Sequence, residues 1–119
     1  MSVIRARCVM NVPAENAAEF EAIARAITDA ERASGRKPIA YDYYRNESDG
    51  TYVLHEHFGT AEEYIEHANL VDPAILKRLF EISSVASLEI CGELSPEVRA
   101  IASQWGAVFC TPVATTWTG

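Results

Sequence analysis

The sequence contains no long hydrophobic run and only a small share of positive charge. No stretch approaches the roughly 20 consecutive apolar residues that a membrane-spanning helix requires. There are 10 lysine and arginine residues against 17 aspartate and glutamate residues, which gives a formal net charge of −7. Because nucleic acids and anionic membrane surfaces bind clustered positive charge, and no basic cluster is present, neither is expected as a partner.

Cysteine is scarce, and the motifs of several large enzyme classes are absent. Cys8, Cys91 and Cys110 are widely spaced in apolar, strand-like segments, which indicates small buried hydrophobic residues. Without a glycine-rich phosphate loop, a GxSxG motif or a CxxC pair, nucleotide, acyl-hydrolase and dithiol chemistry lack support. The amino-terminal MSVIRARCVM has two arginines inside its apolar run, unlike a signal peptide, and we therefore expect a cytoplasmic protein.

Length and composition predict one globular domain. The chain has 119 residues, of which 49% are hydrophobic and 23% charged, enough to bury a hydrophobic core. No internal repeat, low-complexity tract or linker divides it. We therefore treat residues 1–119 as a single domain, with a core over about residues 3–92 and a helix-strand extension over 93–119.

Periodicity and helix start signals predict the order β-α-β-β-α-α-β-α-β. Strands are predicted over residues 3–12, 37–45, 51–58, 84–93 and 107–113, with helices starting at 14, 61, 73 and 96. Thr60 and Glu63 have the spacing of a capping box, in which the carboxylate reaches back to the amide of the cap residue. Asp72-Pro73 and Ser95-Pro96 each place a proline at the first helical position.

Without its last two elements this order is that of an α+β, ferredoxin-like fold, an antiparallel sheet with helices on one face. The other face would be uncovered and would present residues such as Tyr41, Tyr43 and Val53, depending on the strand registers. Such an apolar patch is unusual on a monomer. We therefore expect a homodimer that pairs sheet to sheet. Tyr44 and Tyr52 would join Tyr41 and Tyr43 in the core of the dimer, and the last strand could cross to the partner.

The stretch from Thr51 to Leu70 carries the residues of greatest chemical interest. A strand ending in Glu-x-aromatic is followed by a capped helix and, nine residues on, by a histidine: Glu56-His57-Phe58-Gly59-Thr60, Glu62-Glu63-Tyr64 and His67. Over about residues 3–92 this layout resembles the antibiotic biosynthesis monooxygenase family of dimeric α-β barrels. The resemblance implies a pocket between sheet and helices in each subunit, and oxidation of small aromatic quinols or polyketide-like compounds.

The family also includes haem-degrading enzymes, and the resemblance locates their residues by position. Their important tryptophan falls on His67, their iron-ligating histidine on Lys77 and their first-strand asparagine on Cys8. Lysine is a poor axial ligand for haem. The haem branch is therefore disfavoured, and no cofactor is expected.

Oxygenation without a cofactor requires a substrate that ionises to an electron-rich anion, a base that works near neutral pH and hydrogen bonds to the oxyanion. His67 is the candidate catalytic base, because histidine ordinarily changes charge near neutral pH; the alternative is a partly exposed residue at the helix edge. Glu56 is the second catalytic candidate, since its strand neighbours look core-facing and burial would raise its pKa. Pairing with an arginine such as Arg45 is the favoured interpretation of Glu56, and Glu56→Gln would then harm folding more than turnover.

Five further residues are candidates for binding the substrate. Tyr44, Tyr64 and Asn69 would orient its oxygens, and Phe58 and Trp105 would form apolar walls around an aromatic ring. A different function also stays open: a ligand-binding or stress-associated dimer that uses the same pocket without turnover.

A metal site is the third hypothesis. His55 and His57 lie on one face of the predicted strand, with Cα atoms about 7 Å apart, a distance that one metal ion can bridge. Glu62 completes a cupin-like H-x-H-x4-E spacing. That glutamate lies in a predicted helix rather than on the strand, and no cluster of histidine or cysteine completes the set, so no metal is expected.

Overall fold

Five strands and four α-helices follow one another in the predicted order in the computed structural model, which describes residues 3–35 and 40–116. The strands are β1 (Ile4–Asn11), β2 (Ala40–Arg45), β3 (Tyr52–Phe58), β4 (Ser84–Cys91) and β5 (Val108–Cys110). The helices are α1 (Ala17–Ala33), preceded by a 3-10 turn at Ala14–Asn16, α2 (Ala61–Leu70), α3 (Pro73–Ile82) and α4 (Pro96–Ser103). Residues 37–39 of the predicted second strand and 117–119 of the tail lie outside the described residues.

The strands form one sheet in the order β2-β3-β1-β4-β5. Strand β1 is antiparallel to both β3 and β4, and β2 is antiparallel to β3, which confirms the α+β, ferredoxin-like fold. Strand β5 pairs with β4 in parallel, so the sheet is mixed rather than wholly antiparallel. The cause is helix α4, which crosses over between the two strands and returns the chain in the same direction.

All four helices pack on the same face of the sheet. Alternate residues of β1 are buried there, namely Ile4, Ala6, Cys8 and Met10. The helices contribute Phe20, Ile27, Leu79, Ile82 and Val98 to the same core. Burying each large side chain of this kind contributes about 1.5–3 kcal/mol. Among the described residues, no helix is long and apolar enough to cross a membrane.

Side-chain caps determine where the helices over the sheet begin. The Thr60 hydroxyl accepts a hydrogen bond from the Glu63 N–H at 3.1 Å, as predicted. The Glu63 carboxylate accepts from the N–H of Gly59 at 3.0 Å, one residue earlier than the capping box predicted. Asp72 caps α3 and Ser95 caps α4 in the same way. The cap at Thr60 starts α2 directly after β3, which brings the middle of that helix over the sheet.

The helix-free face of the sheet is more polar than the sequence predicted. Tyr41 pairs with Glu56 and Tyr43 with Leu54, so both tyrosines face the helices, where Tyr52 is also buried. The prediction that these three tyrosines form a dimer core is therefore wrong. The opposite face carries the polar residues Arg5, Arg7, Asp42, Tyr44, His55, His57, Ser87 and Glu89, together with Val9, Ala40, Val53 and Cys91.

Candidate active site

A cavity of about 300 Å³ lies between the sheet and its helices. Most of its polar side chains come from the β2–β3 side of the sheet and from α2: Tyr41, Tyr43, Glu56, Tyr64, His67 and Asn69. One more, Gln104, follows α4. Its apolar side chains come from all around it. Those on the side of β4, α3 and α4 are Leu76, Leu79, Phe80, Val85, Leu88, Ile101 and Trp105, and the others are Cys8, Met10, Ile27, Leu54, Ala68 and Val71. Since β2 and β4 lie on opposite sides of β1 and β3, the cavity has one polar and one apolar end.

His67 lies at the polar end between two carboxylates. Its Nδ1 is 2.8 Å from Oε2 of Glu31 in the last turns of α1, and its Nε2 is 3.8 Å from Oε1 of Glu56 on β3. His67 is 6% exposed and Glu31 3%. The imidazole packs against the rings of Tyr41 and Phe58, with centroids 4.4 and 5.5 Å away. The alternative of a partly exposed helix-edge histidine is therefore wrong.

Glu56 is largely buried, and among the described residues it has no lysine or arginine partner. Its side chain is 12% exposed, and burial, reinforced by the nearby Glu31 carboxylate, raises its pKa to about 7. Within the described chain no arginine lies within ion-pair distance of Glu56, so the predicted pairing with Arg45 is wrong. Near neutral pH the carboxyl group is therefore divided between its protonated and ionised forms and can donate or accept a proton.

Three tyrosines surround this carboxyl group as neutral phenols. The hydroxyl oxygens of Tyr41 and Tyr43 lie 3.2 Å apart and share a hydrogen bond. Burial, followed by the charges around them, raises the pKa of Tyr41, and burial is likewise the main cause of the raised pKa of Tyr43. Burial also raises the pKa of Tyr64, whose ring packs edge-on against Phe58. All three hydroxyl groups are therefore protonated near neutral pH and can donate hydrogen bonds.

The structure brings five of the seven predicted site residues to one cavity: Glu56, Tyr64, His67, Asn69 and Trp105. Phe58 does not line it; it is 1% exposed and supports the rings of Tyr64 and His67 from behind. Tyr44 lies on the helix-free face, 56% exposed, with its ring beside His55. The register of β2 is the reason, because it turns Tyr41 and Tyr43 toward the cavity and Tyr44 away from it.

Glu31, Tyr41 and Tyr43 were missed as site residues. Glu31 continues the buried positions of α1, Phe20, Ala24 and Ile27, at helical spacing. An acidic residue on an otherwise apolar stripe is a signal of a buried partner, and here that partner is His67. Another cavity residue, Cys8, was interpreted correctly: it is buried, and burial raises the pKa of its thiol to about 12, so it is an inert wall.

His55 and His57 are not joined by a third metal ligand among the described residues. Both histidines lie on the helix-free face, away from the cavity, and Glu62 lies on a helix over the other face. Within residues 3–35 and 40–116, no three or more His, Cys, Asp or Glu side chains are grouped to hold a metal ion. Lys77, at the position of the haem ligand in the resemblance, is exposed on α3.

Comparison with solved structures shows where this fold occurs. MupZ from Pseudomonas fluorescens matches with a TM-score of 0.82 and 13% identity, over 98% of this chain and 94% of that chain. A proposed antibiotic biosynthesis monooxygenase from Caulobacter crescentus CB15 matches with a TM-score of 0.63 and 17% identity, over 79% and 90%. A third, from Nitrosomonas europaea and described in the same way, gives 0.56 and 14%, over 81% and 99%. No protein-family model and no curated protein matches the sequence.

At these identities the likeness establishes the fold and not the activity. The resemblance to antibiotic biosynthesis monooxygenases is confirmed as a resemblance of fold. The match to MupZ spans 98% of the chain, and the match to the Caulobacter protein spans 79%.

Proposed function

We propose that the protein is a cofactor-independent monooxygenase that oxidises a small aromatic quinol or polyketide-like compound. One observation carries the proposal: a buried histidine, held by one carboxylate and facing a second, lies at the polar end of an otherwise apolar cavity. The shared fold with proteins described as antibiotic biosynthesis monooxygenases supports the same chemistry.

His67 is the proposed catalytic base. In the proposed mechanism Nδ1–H of His67 donates a hydrogen bond to the Glu31 carboxylate, which directs the basic lone pair to Nε2, on the side of Glu56. When Nε2 takes a proton from the substrate, the imidazolium that forms lies between two acidic side chains. Glu31 is therefore a positioning residue that orients His67 and stabilises its charged form.

The lining of the cavity defines the kind of substrate. No lysine or arginine is among its lining residues in the described chain, whereas Glu56 lines it and Glu31 lies close behind. The substrate therefore enters as a neutral molecule and ionises inside. A volume of about 300 Å³ is at the lower end of small-molecule pockets, which span roughly 300–1,000 Å³, and suits a compact aromatic compound.

The reaction balances without an external reductant. Removal of a proton by His67 leaves an electron-rich phenolate or enolate, which donates electrons to O2. At an activated ring CH2 group, one oxygen atom enters the product as a carbonyl and the other leaves as water, and the substrate supplies all four electrons. The apolar walls exclude bulk water and slow competing protonation of the anion.

Oxygen uptake tests the proposal. The chelator-treated protein is given a panel of anthrones and dihydroxyarenes in an oxygen electrode. One O2 is expected to be consumed per molecule of anthrone oxidised to the anthraquinone or of dihydroxyarene oxidised to the hydroxyquinone. A panel that binds without oxygen uptake would contradict the proposal and favour the non-catalytic ligand-binding alternative.

We also propose that two copies pair across the helix-free face of the sheet. This face carries both signs of charge, with Arg5 and Arg7 on β1, Asp42 on β2 and Glu89 on β4. A twofold axis can therefore place arginines of one copy against acids of the other. Arg7→Glu is expected to convert a dimer into a monomer in light scattering, and a dimer that survives this change would place the interface elsewhere.

A further inference from the structure

The hydroxyl groups of Tyr41 and Tyr43 form a second polar group in the cavity, here called the tyrosine pair. The two residues occupy alternate positions of β2, with their rings edge to face at a centroid distance of 5.7 Å and their oxygens 3.2 Å apart. Both line the cavity, and the proposed base does not require either of them.

We propose that the tyrosine pair binds the oxygen of the substrate in its anionic form, as a phenolate or an enolate. This inference rests on the proposed function and names the substrate class of the same site. The substrate is a neutral phenol or enolisable ketone, with its oxygen at the tyrosine pair and its apolar body toward Phe80 and Trp105.

Among the described residues, the hydrogen bonds of the tyrosine pair leave one O–H group available to a ligand. Each phenol has one O–H group, and one of the two donates to the other oxygen. The second O–H has no acceptor among residues 3–35 and 40–116. Because buried donors almost always find a partner, the second O–H is suited to a ligand oxygen.

The surroundings keep both hydroxyl groups protonated and make the second one a stronger donor. Burial and the charge of Glu56 raise the pKa of both phenols, so neither loses its proton near neutral pH. A hydroxyl that already accepts a hydrogen bond donates more strongly in turn. Such fixed donors in a water-poor site stabilise a developing oxyanion more than they would in water.

The tyrosine pair lies next to His67, so the negative charge on the substrate oxygen and the positive charge on the imidazolium stay close together. The rings of Tyr41 and His67 are 4.4 Å apart between centroids. The proton passes from the substrate O–H, or from the carbon beside its carbonyl, to Nε2 of His67, and the electron pair remains on the substrate oxygen. The titratable groups around the tyrosine pair are Cys8, Glu31, Glu56, Tyr64 and His67. The new imidazolium offsets the negative charge of the oxyanion.

The apolar end of the cavity accepts a flat body. The rings of Phe80 and Trp105 are stacked, with centroids 4.6 Å apart and an interplanar angle of 14°. A fused aromatic ring placed along this stack would have its hydroxyl group toward β2, since β2 and the β4 side lie at opposite ends of the cavity.

Binding of 2-naphthol under nitrogen tests the inference without any oxygen chemistry. The neutral and anionic forms of this probe differ in absorbance, so the spectrum reports which form is bound. We expect wild-type protein to bind it as the anion at a pH well below the pKa of free naphthol. Tyr43→Phe and Tyr41→Phe should each weaken this binding by about tenfold or more, the usual cost of losing a hydrogen bond to a charged group.

Two controls separate a contact with the oxyanion from a structural effect. Tyr44→Phe, on the helix-free face, should change the affinity for 2-naphthol by less than about twofold. Naphthalene, which lacks the oxygen, should bind the wild type and Tyr43→Phe equally. An equal loss of both probes in Tyr43→Phe would overturn the inference, as would binding of 2-naphthol as the neutral form.

The two proposals fail in distinguishable ways. A protein that binds the naphtholate but never consumes oxygen contradicts the monooxygenase function and leaves the tyrosine pair intact. Oxygen uptake by a protein whose tyrosine variants bind 2-naphthol normally contradicts the tyrosine pair alone. A wild type that binds neither 2-naphthol nor naphthalene overturns the inference as well.

Discussion

Nδ1 of His67 lies 2.8 Å from Oε2 of Glu31, although 36 positions separate the two residues in the chain. The contact joins the end of α1 to the middle of α2 and is buried on both sides. A buried carboxylate and imidazole of this kind restrict each other's orientation, and the low dielectric strengthens the bond between them. The position of the proposed base is therefore determined by a helix that contributes little else to the polar end of the cavity.

Replacing Glu31 by glutamine tests this relationship. The amide keeps the shape but removes the charge that stabilises the imidazolium, so kcat should fall about 10- to 100-fold with KM nearly unchanged. The pH profile of kcat should shift as well, which a purely structural role would not cause. Glu62→Gln, an exposed change on α2, is the control and should leave both constants unchanged. Wild-type kinetics in Glu31→Gln would show that His67 works without this partner.

The raised pKa of Glu56 predicts a pH dependence of stability. The folded protein holds this proton up to a pH of about 7, while the unfolded chain releases it near 4.5. Between these values the folded state binds more protons, so the free energy of unfolding decreases as pH rises through this window. At pH 8 the cost amounts to as much as about 3 kcal/mol.

Glu56→Gln removes this titration. The free energy of unfolding of each protein is measured in urea at pH 4.5 and at pH 8. The variant should compare more favourably with wild type at pH 8 than at pH 4.5, and its turnover should be reduced. This reverses the prediction made from the sequence, which depended on an arginine partner that Glu56 lacks in the described chain. A variant that loses the same stability at both pH values would show that Glu56 is structural after all.

The absence of cationic side chains from the described cavity lining predicts selection by charge. Methyl 1-naphthoate should bind at least about tenfold more tightly than 1-naphthoate at pH 8, because a buried carboxylate with no cation beside it is costly. The two probes share one ring system and differ in charge and in one methyl group. 2-Naphthol enters as a neutral molecule and gives its proton to His67, so an imidazolium offsets the charge of the bound anion. At pH 8, 1-naphthoate is already ionised and has no proton to give. Fluorescence titration measures both affinities, and tighter binding of the anion would contradict the proposed substrate class.

Local signals were sufficient for most of the fold. Thr60, Asp72 and Ser95 each cap a helix as predicted, because a cap depends on residues three or fewer positions away. The chemistry of His67 and Glu56 was also recognisable in one short stretch, and both residues reach the same cavity.

Features that depend on distant pairing were not predictable in the same way. Aromatic residues occupy both faces of β2, so only its register with β3 decides that Tyr41 faces the helices and Tyr44 does not. The partner of Glu31 depends on how α1 packs beside α2, and the parallel direction of β5 depends on the path of α4. These are tertiary relationships, and a single sequence carries no local signal for them.

The most direct test of the account compares oxygen uptake by wild type, His67→Ala and Tyr44→Phe on a quinol or anthrone that wild type oxidises. We expect His67→Ala to lose about 100-fold or more in kcat, the usual size of general base catalysis, while Tyr44→Phe keeps the wild-type rate. Equal rates in wild type and a folded His67→Ala would remove the histidine from the mechanism and contradict the account.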